Sequence, residues 1–379
     1  MNNIWFQGGR AALLSLALAA GWAAAADKVV SIGYQAPLTG EYAQYGTLFR
    51  NSANQAVAEF NQSHRLPGVR VEVKFEDSKG DAKEGVNIAR KFSDDRSIVG
   101  VIGDFSSTVS IAAGKVYAET HVPQLSQTAS HPDFVKISPW QFRNITTMAY
   151  EGPYTANWVH DTGAKRAAIV AIQNDWGQSA AQEFAHGFTA DGGQVVTTEF
   201  FNPGTRDFRA IITKIARQKP DVIYLAQFYE DGAAFLQQIR QLGVKAPLFG
   251  ASSLDEQKLI QLAGPAAEGL RLPTSFDLNS QVPNVKHYVE QYRALYHTEP
   301  NQFAAQAYDA TNILLDAIVK GGGAGATRQS VRDALAATKD FPGVTGITTF
   351  DPVTREPTKS QTRLVVQNGQ FVPVASTKA

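Results

Sequence analysis

The chain has 379 residues, a length that suits two domains better than one. Apolar residues make up 44% and charged residues 18%, the balance of a globular protein and not of a disordered or collagen-like one. The formal net charge is zero, so overall charge gives no case for a nucleic-acid partner or an anionic membrane surface.

Residues 1–26 differ from the rest. Arg10 precedes the apolar run Ala11–Ala20, and an alanine run closes at Ala26. A charged start, a short apolar stretch and small residues at Ala24 and Ala26 fit an export signal cut before Asp27. The run is too short to span a bilayer, which needs about 20 apolar residues. Without it the chain has a net charge of −1. There is no cysteine, which excludes disulfides, thiol catalysis and a lipid anchor on an N-terminal cysteine. The core alone must then hold the fold, as a chain this long allows. The expectation is a soluble protein free in the periplasm.

Taken in order, the mature chain alternates between two periods. Val29–Tyr34 reads as a buried parallel strand, and Phe49, Ala53, Ala56, Val57 and Phe60 as one face of a helix. Val69, Val71, Val73 and Phe75 alternate as in a strand. Asp81 is placed to cap a helix running to about Phe92. Ile98–Gly103 is a further strand, a helix begins near Ser107, and the next strand begins at Pro123–Leu125. The pattern then restarts. Strands are expected over Ala167–Ile172, Gln194–Phe200, Asp221–Leu225 and Pro247–Gly250. Helices are expected over Ser179–Thr189, Phe208–Gln218, Ala233–Leu242 and near Asp255–Leu262. Two such series predict an α/β fold with two doubly wound parallel-sheet lobes. The rhythm breaks with three successive helices, Asn284–Tyr296, Gln302–Lys320 and Ser330–Thr338, the last two joined by a flexible Gly321–Ala326 link. Asn368-Gly369 then marks a hairpin between Arg363–Val366 and Phe371–Val374.

Signatures of catalysis are missing. There is no G-x-S-x-G, H-E-x-x-H or P-loop sequence. Gly321, Gly323 and Ala326 match the spacing of a dinucleotide fingerprint but follow a helix and not a strand. The seven histidines are scattered, with no metal-ligand spacing, so neither a metal nor a cofactor is expected. The chain does not read as an enzyme.

The polar groups instead collect at strand ends, where doubly wound sheets bind ligands. Val101-Ile-Gly-Asp-Phe-Ser-Ser107-Thr108 ends a strand and opens a helix; its hydroxyls suit a carboxylate or simply a helix cap. Gln124-Leu-Ser-Gln-Thr128-Ala-Ser130-His-Pro132 is a second hydroxyl-rich end, or an ordinary loop. Ile172-Gln-Asn-Asp175-Trp176-Gly177 puts an aromatic at a third, and Ala226-Gln-Phe-Tyr229-Glu-Asp231-Gly232 forms a fourth.

These segments, with Pro37-Leu-Thr-Gly40, Ala43-Gln-Tyr45-Gly46, Lys219-Pro-Asp-Val-Ile-Tyr224 and Gly264-Pro-Ala-Ala-Glu-Gly269, resemble the leucine/isoleucine/valine-binding proteins of ABC transporters, the type I periplasmic binding-protein fold. The resemblance covers nearly all of the mature chain. It implies two lobes joined by a three-strand hinge that closes on a ligand: residues 27–147 with 276–348, and residues 148–275 with 349–379. It implies a carboxylate-binding hydroxyl at Ser107, backbone groups at Thr128 and a second hydroxyl at Ser130. Pocket walls are implied at Tyr45 and Phe105, with aromatics closing from the other lobe at Trp176 and at Phe228 or Tyr229. One departure matters: the family usually meets the ligand's ammonium with an acid at the position of Ser252. A buried ammonium without a partner costs several kcal/mol, so Asp231, with Glu230, is expected to take that role. The implied ligand is an apolar, for instance branched-chain, amino acid or a related carboxylate, and the implied partner a membrane permease, with the protein itself a monomer. An amide, urea-like or aromatic-acid ligand, and a sensor reporting to a membrane receptor, are the alternatives.

Overall fold

The computed structural model describes residues 27–374; the export signal expected over residues 1–26 lies outside them. The first series of elements is β1 (Lys28–Ala36), α1 (Ala43–Gln62), β2 (Val69–Asp77), α2 (Ala82–Asp94), β3 (Ile98–Ile102), α3 (Ser107–Glu119), β4 (Gln124–Ser126) and β5 (Gln141–Arg143). Its strands form one parallel sheet in the order β2-β1-β3-β4-β5. The second series is α4 (Met148–Asp161), β6 (Arg166–Ile172), α5 (Asp175–Ala190), β7 (Gln194–Phe201), α6 (Arg209–Arg217), β8 (Val222–Ala226), α7 (Tyr229–Gln241), β9 (Leu248–Gly250), α8 (Gln257–Ala263) and β10 (Arg271–Thr274). Then follow α9 (Pro283–Tyr296), α10 (Gln302–Lys320), α11 (Arg328–Ala336), the small hairpin β11 (Phe341–Gly343) and β12 (Gly346–Thr348), and a last hairpin, β13 (Thr362–Gln367) and β14 (Gln370–Pro373). The second sheet runs β14-β13-β10-β9-β8-β6-β7. Its five parallel strands repeat the order of the first sheet, and β13 and β14 add an antiparallel edge.

The two sheets are covered by different parts of the chain. On the first, α2 and α3 bury Ile88, Phe92, Val101 and Tyr117 on one face. On the other face α1 packs with α10, which also meets β3 and β4, while α11 meets β3. Three segments join the sheets, at 144–147, 275–282 and 349–361. Buried charges pin the third: Arg143 Nε lies 3.0 Å from Glu356, and the Lys359 ammonium donates to Thr345 Oγ1 at 2.6 Å beside Asp309. Among the described residues no helix is long and apolar enough to cross a membrane.

Local chemistry explains the element ends. The Asp81 carboxylate accepts from Glu84 N at 2.9 Å, capping α2 as its position predicts. Asn368 and Gly369 both have positive φ, as the tight turn between β13 and β14 requires. Two expectations need correction, and one helix comes where no element is assigned. Helices α5 and α7 start about a turn earlier than apolar periodicity suggests, α5 because Asn174 accepts from Gly177 N and caps it there. Helix α4 falls in a stretch to which the periodicity assigns no element, and it holds Gly152-Pro153 in its interior. The glycine-rich segment after α10 is no loose link but a tight corner, with a 3-10 turn over Gly323–Gly325.

Candidate functional site

In the 2-1-3-4-5 sheet order the crevice lies outside the carboxyl ends of the strands on either side of the first one. Both sheets present those ends to the same cleft. Gly103, at φ +120, turns the chain out of β3. Ser106 then caps α3 by accepting from Val109 N at 3.2 Å, so Ser107 stands at the start of the helix. Opposite, Gly177 packs so tightly on β6 that a Cβ there would meet the Ile172 carbonyl at 2.0 Å, which holds Trp176 over the cleft.

A small cavity of about 50 Å3 lies between the sheets. Its apolar lining is Phe105, Ile145, Trp176, Phe228 and Phe303; its polar lining includes Ser106, Ser107, Thr128, Ser130, Thr146, Glu151, Ser252, Ser275, Gln302, Gln306 and Gln361. Phe105 meets Phe228 across the cleft at 5.1 Å between ring centres, and Trp176 stacks on Phe228 at 4.9 Å.

One end of the cavity is built for an anion. The oxygens of Ser106, Ser107 and Ser130 each accept a hydrogen bond: from Val109 N, from His131 N at 3.2 Å, and from the Trp176 indole at 3.1 Å. With that lone pair engaged, each hydroxyl keeps its own proton to donate. The first turn of α3 adds backbone N–H groups and the positive end of the helix dipole. Thr128 donates its hydroxyl to Phe105 O at 2.7 Å, which ties the two strand-end loops together.

Of the residues singled out in the sequence, Phe105, Ser107, Thr128, Ser130, Trp176, Phe228 and Ser252 line this one cavity. Tyr45 and Tyr229 do not. Tyr45 is fully buried behind the wall, stacked on Phe105 at 4.1 Å, with its hydroxyl 3.5 Å from Tyr229 N. Asp231 is also elsewhere. It neither caps α7 nor reaches the cavity, because Arg206 takes its carboxylate at 2.9 Å and holds Glu230 at 2.9 Å and Glu41 at 3.1 Å as well. Burial, then the Glu41 charge, push the Asp231 carboxyl up to about 7 despite that pairing.

The residue missed in the sequence is Glu151, on the first turn of α4. Its carboxylate accepts from Ser252 N at 2.8 Å and from the Ser252 hydroxyl at 2.6 Å. Gln361 Nε2 approaches it at 3.4 Å, and Gln302 donates to the Ser252 carbonyl. Burial raises the Glu151 pKa, and these hydrogen bonds lower it in part. Ser252, neutral itself, thus presents an acid from a different helix.

The family profile described as periplasmic binding protein matches residues 29–370. The Leu/Ile/Val-binding protein homolog 1 of Brucella melitensis is 28% identical over 340 residues, covering 89% of this chain and 90% of its own. A solved chain from Rhodospirillum rubrum, named as a candidate branched-chain amino acid ABC transporter, is 48% identical, with a TM-score of 0.70 over 91% of this chain and all of its own. LivJ of Streptococcus pneumoniae, solved in complex with isoleucine, is 27% identical with a TM-score of 0.84, over 92% of this chain and all of its own. With that profile matched over almost the whole described chain, and a cleft shaped to hold a solute, the chain belongs to the periplasmic binding protein family, as a binding protein and not an enzyme.

Proposed function

We propose that this protein is the solute-binding component of an ABC transporter, that it closes its two lobes on an amino acid with an apolar side chain, and that it delivers the ligand to the membrane permease. The observation that carries the reading is the set of three hydroxyls, on Ser106, Ser107 and Ser130, whose oxygens already accept and whose protons are free for a carboxylate. Thr128 keeps the two loops in register, and Phe105, Trp176 and Phe228 give an apolar side chain its walls. The relatives named for leucine, isoleucine and valine support the same class.

In this reading the lobes comprise residues 27–147 with 276–348 and residues 148–275 with 349–379, and the three joining segments form the hinge. The mature chain starts at Asp27 and works as a monomer. The test is calorimetric titration with leucine, isoleucine and valine, coupled to small-angle scattering. Binding accompanied by a smaller radius of gyration is the expected result; no binding of any small carboxylate sinks the reading.

A further inference from the structure

The Glu151 carboxylate is 5% exposed, lines the cavity, and has no cationic partner among the described residues. Every donor it receives is neutral: the amide and hydroxyl of Ser252 and the amide of Gln361. An ionised carboxylate taken out of water costs several kcal/mol unless an opposite charge joins it. Beside it, Gln361 Oε1 is buried with no donor at all. A buried carboxylate without a cation and an orphaned acceptor at its side together describe a place for a group that is positively charged and rich in N–H.

We infer that Glu151 is the counter-charge for a protonated primary amine on the ligand, with Gln361 Oε1 accepting a second of its N–H bonds. The ligand is then a zwitterion, its carboxylate on Ser107 and Ser130 and its amine on Glu151. Ser252 positions the acid through its amide and hydroxyl and leaves the contact itself to Glu151. The inference rests on the carboxylate-binding reading above and adds the second pole. The cavity also explains why Asp231 is unsuited: its charge is already held by Arg206. The shared chemistry, an amine on a carboxylic acid, fits both α-amino and ω-amino acids.

The test uses three amine-bearing probes and their amine-free counterparts: L-leucine with 4-methylpentanoate, L-phenylalanine with 3-phenylpropanoate, and 4-aminobutanoate with butanoate. Each is titrated into the wild type and into Glu151→Gln, a variant that keeps an acceptor for Ser252 N. The wild type is expected to prefer the amine in at least one pair by roughly a hundredfold, and Glu151→Gln to abolish that preference. A preference in the leucine or phenylalanine pair assigns an α-amino acid, and in the butanoate pair an ω-amino acid; either supports the inference. If Glu151→Gln fails to fold, Gln361→Leu, which removes the second acceptor beside the acid, decides: a weakened amine preference supports the inference and an unchanged one overturns it. Preference for the amine-free acids overturns the inference but leaves the carboxylate reading standing, as does an amine preference that survives in Glu151→Gln. Binding of none of the six overturns both.

Discussion

The indole N–H of Trp176 lies 3.1 Å from the Ser130 hydroxyl oxygen, and this single hydrogen bond joins α5 of one sheet to the strand-end loop of the other. It aligns the Ser130 proton and fastens the cleft at once. Trp176→Phe keeps an aromatic ring near Phe228 but loses the donor together with the second ring of the buried indole. Ligand affinity is expected to fall roughly tenfold at most, the worth of one neutral hydrogen bond. Calorimetric titration reads this, and the melting temperature of the ligand-free protein should fall modestly because buried ring volume is lost.

Ser107→Ala and Ser130→Ala each remove a donor to a charged group. Such a bond contributes about 1.5–3 kcal/mol, so each variant should bind about ten- to a hundredfold more weakly. Ser106 caps α3 and Ser107 does not, so Ser107→Ala should cost stability only through the hydrogen bond that His131 N loses, about 1 kcal/mol. Intact affinity in both variants would place the carboxylate elsewhere.

The cluster around Arg206 separates two roles. Glu41 reaches it from the β1–α1 loop, across the cleft from Asp231 and Glu230. Glu41→Gln breaks only the crossing pair, which is exposed and worth about 0–1 kcal/mol. A loss of affinity of about fivefold or less is expected, and it should vanish at high salt. Arg206→Gln leaves the buried Asp231 without a cation. Because Arg206 is half exposed, a destabilisation of about 1–2 kcal/mol is expected after discounting for solvent, seen in thermal unfolding whether or not ligand is present.

Buried acids, Asp104, Asp255 and Asp231 among them, shape the pH dependence. Burial is the main cause that brings Asp104 to about 6 and Asp255 and Asp231 to about 7, from the ordinary 3.8. Their folded values exceed the unfolded one, so the folded state holds the proton more tightly. Their contribution is full below about pH 4 and is lost as pH rises through about 6 and 7. The melting temperature of the ligand-free protein should therefore fall between pH 5 and pH 8. Asp255→Asn should flatten the upper part of that fall; an identical slope in the variant would count against Asp255 as a source.

How much of this was legible in the sequence follows from where each signal sits. The β-α alternation is written in local periodicity, and both sheets match it in order. Ser107, Thr128, Ser130 and Trp176 were legible because each stands at a strand end. Glu151 was not. It lies on a helix in a stretch to which the periodicity assigns no element, and its meaning depends on Ser252, a hundred residues away in the chain. Asp231 misled for the converse reason: its place after β8 looked right, but the cation that claims it, Arg206, comes from the loop before α6. Pairing between distant charges leaves no local pattern to read.

The shared cover of the first sheet carries a consequence for the order of assembly. Strands β1 to β5 are complete by Arg143, yet α10, which closes their second face, does not end until Lys320. Between them the chain builds β6 to β10 from consecutive segments. Local contacts form faster than distant ones, so the lobe that comes second along the chain is the first able to set. Its partner, although begun earlier, stays half-bare until residues 302–320 return to it.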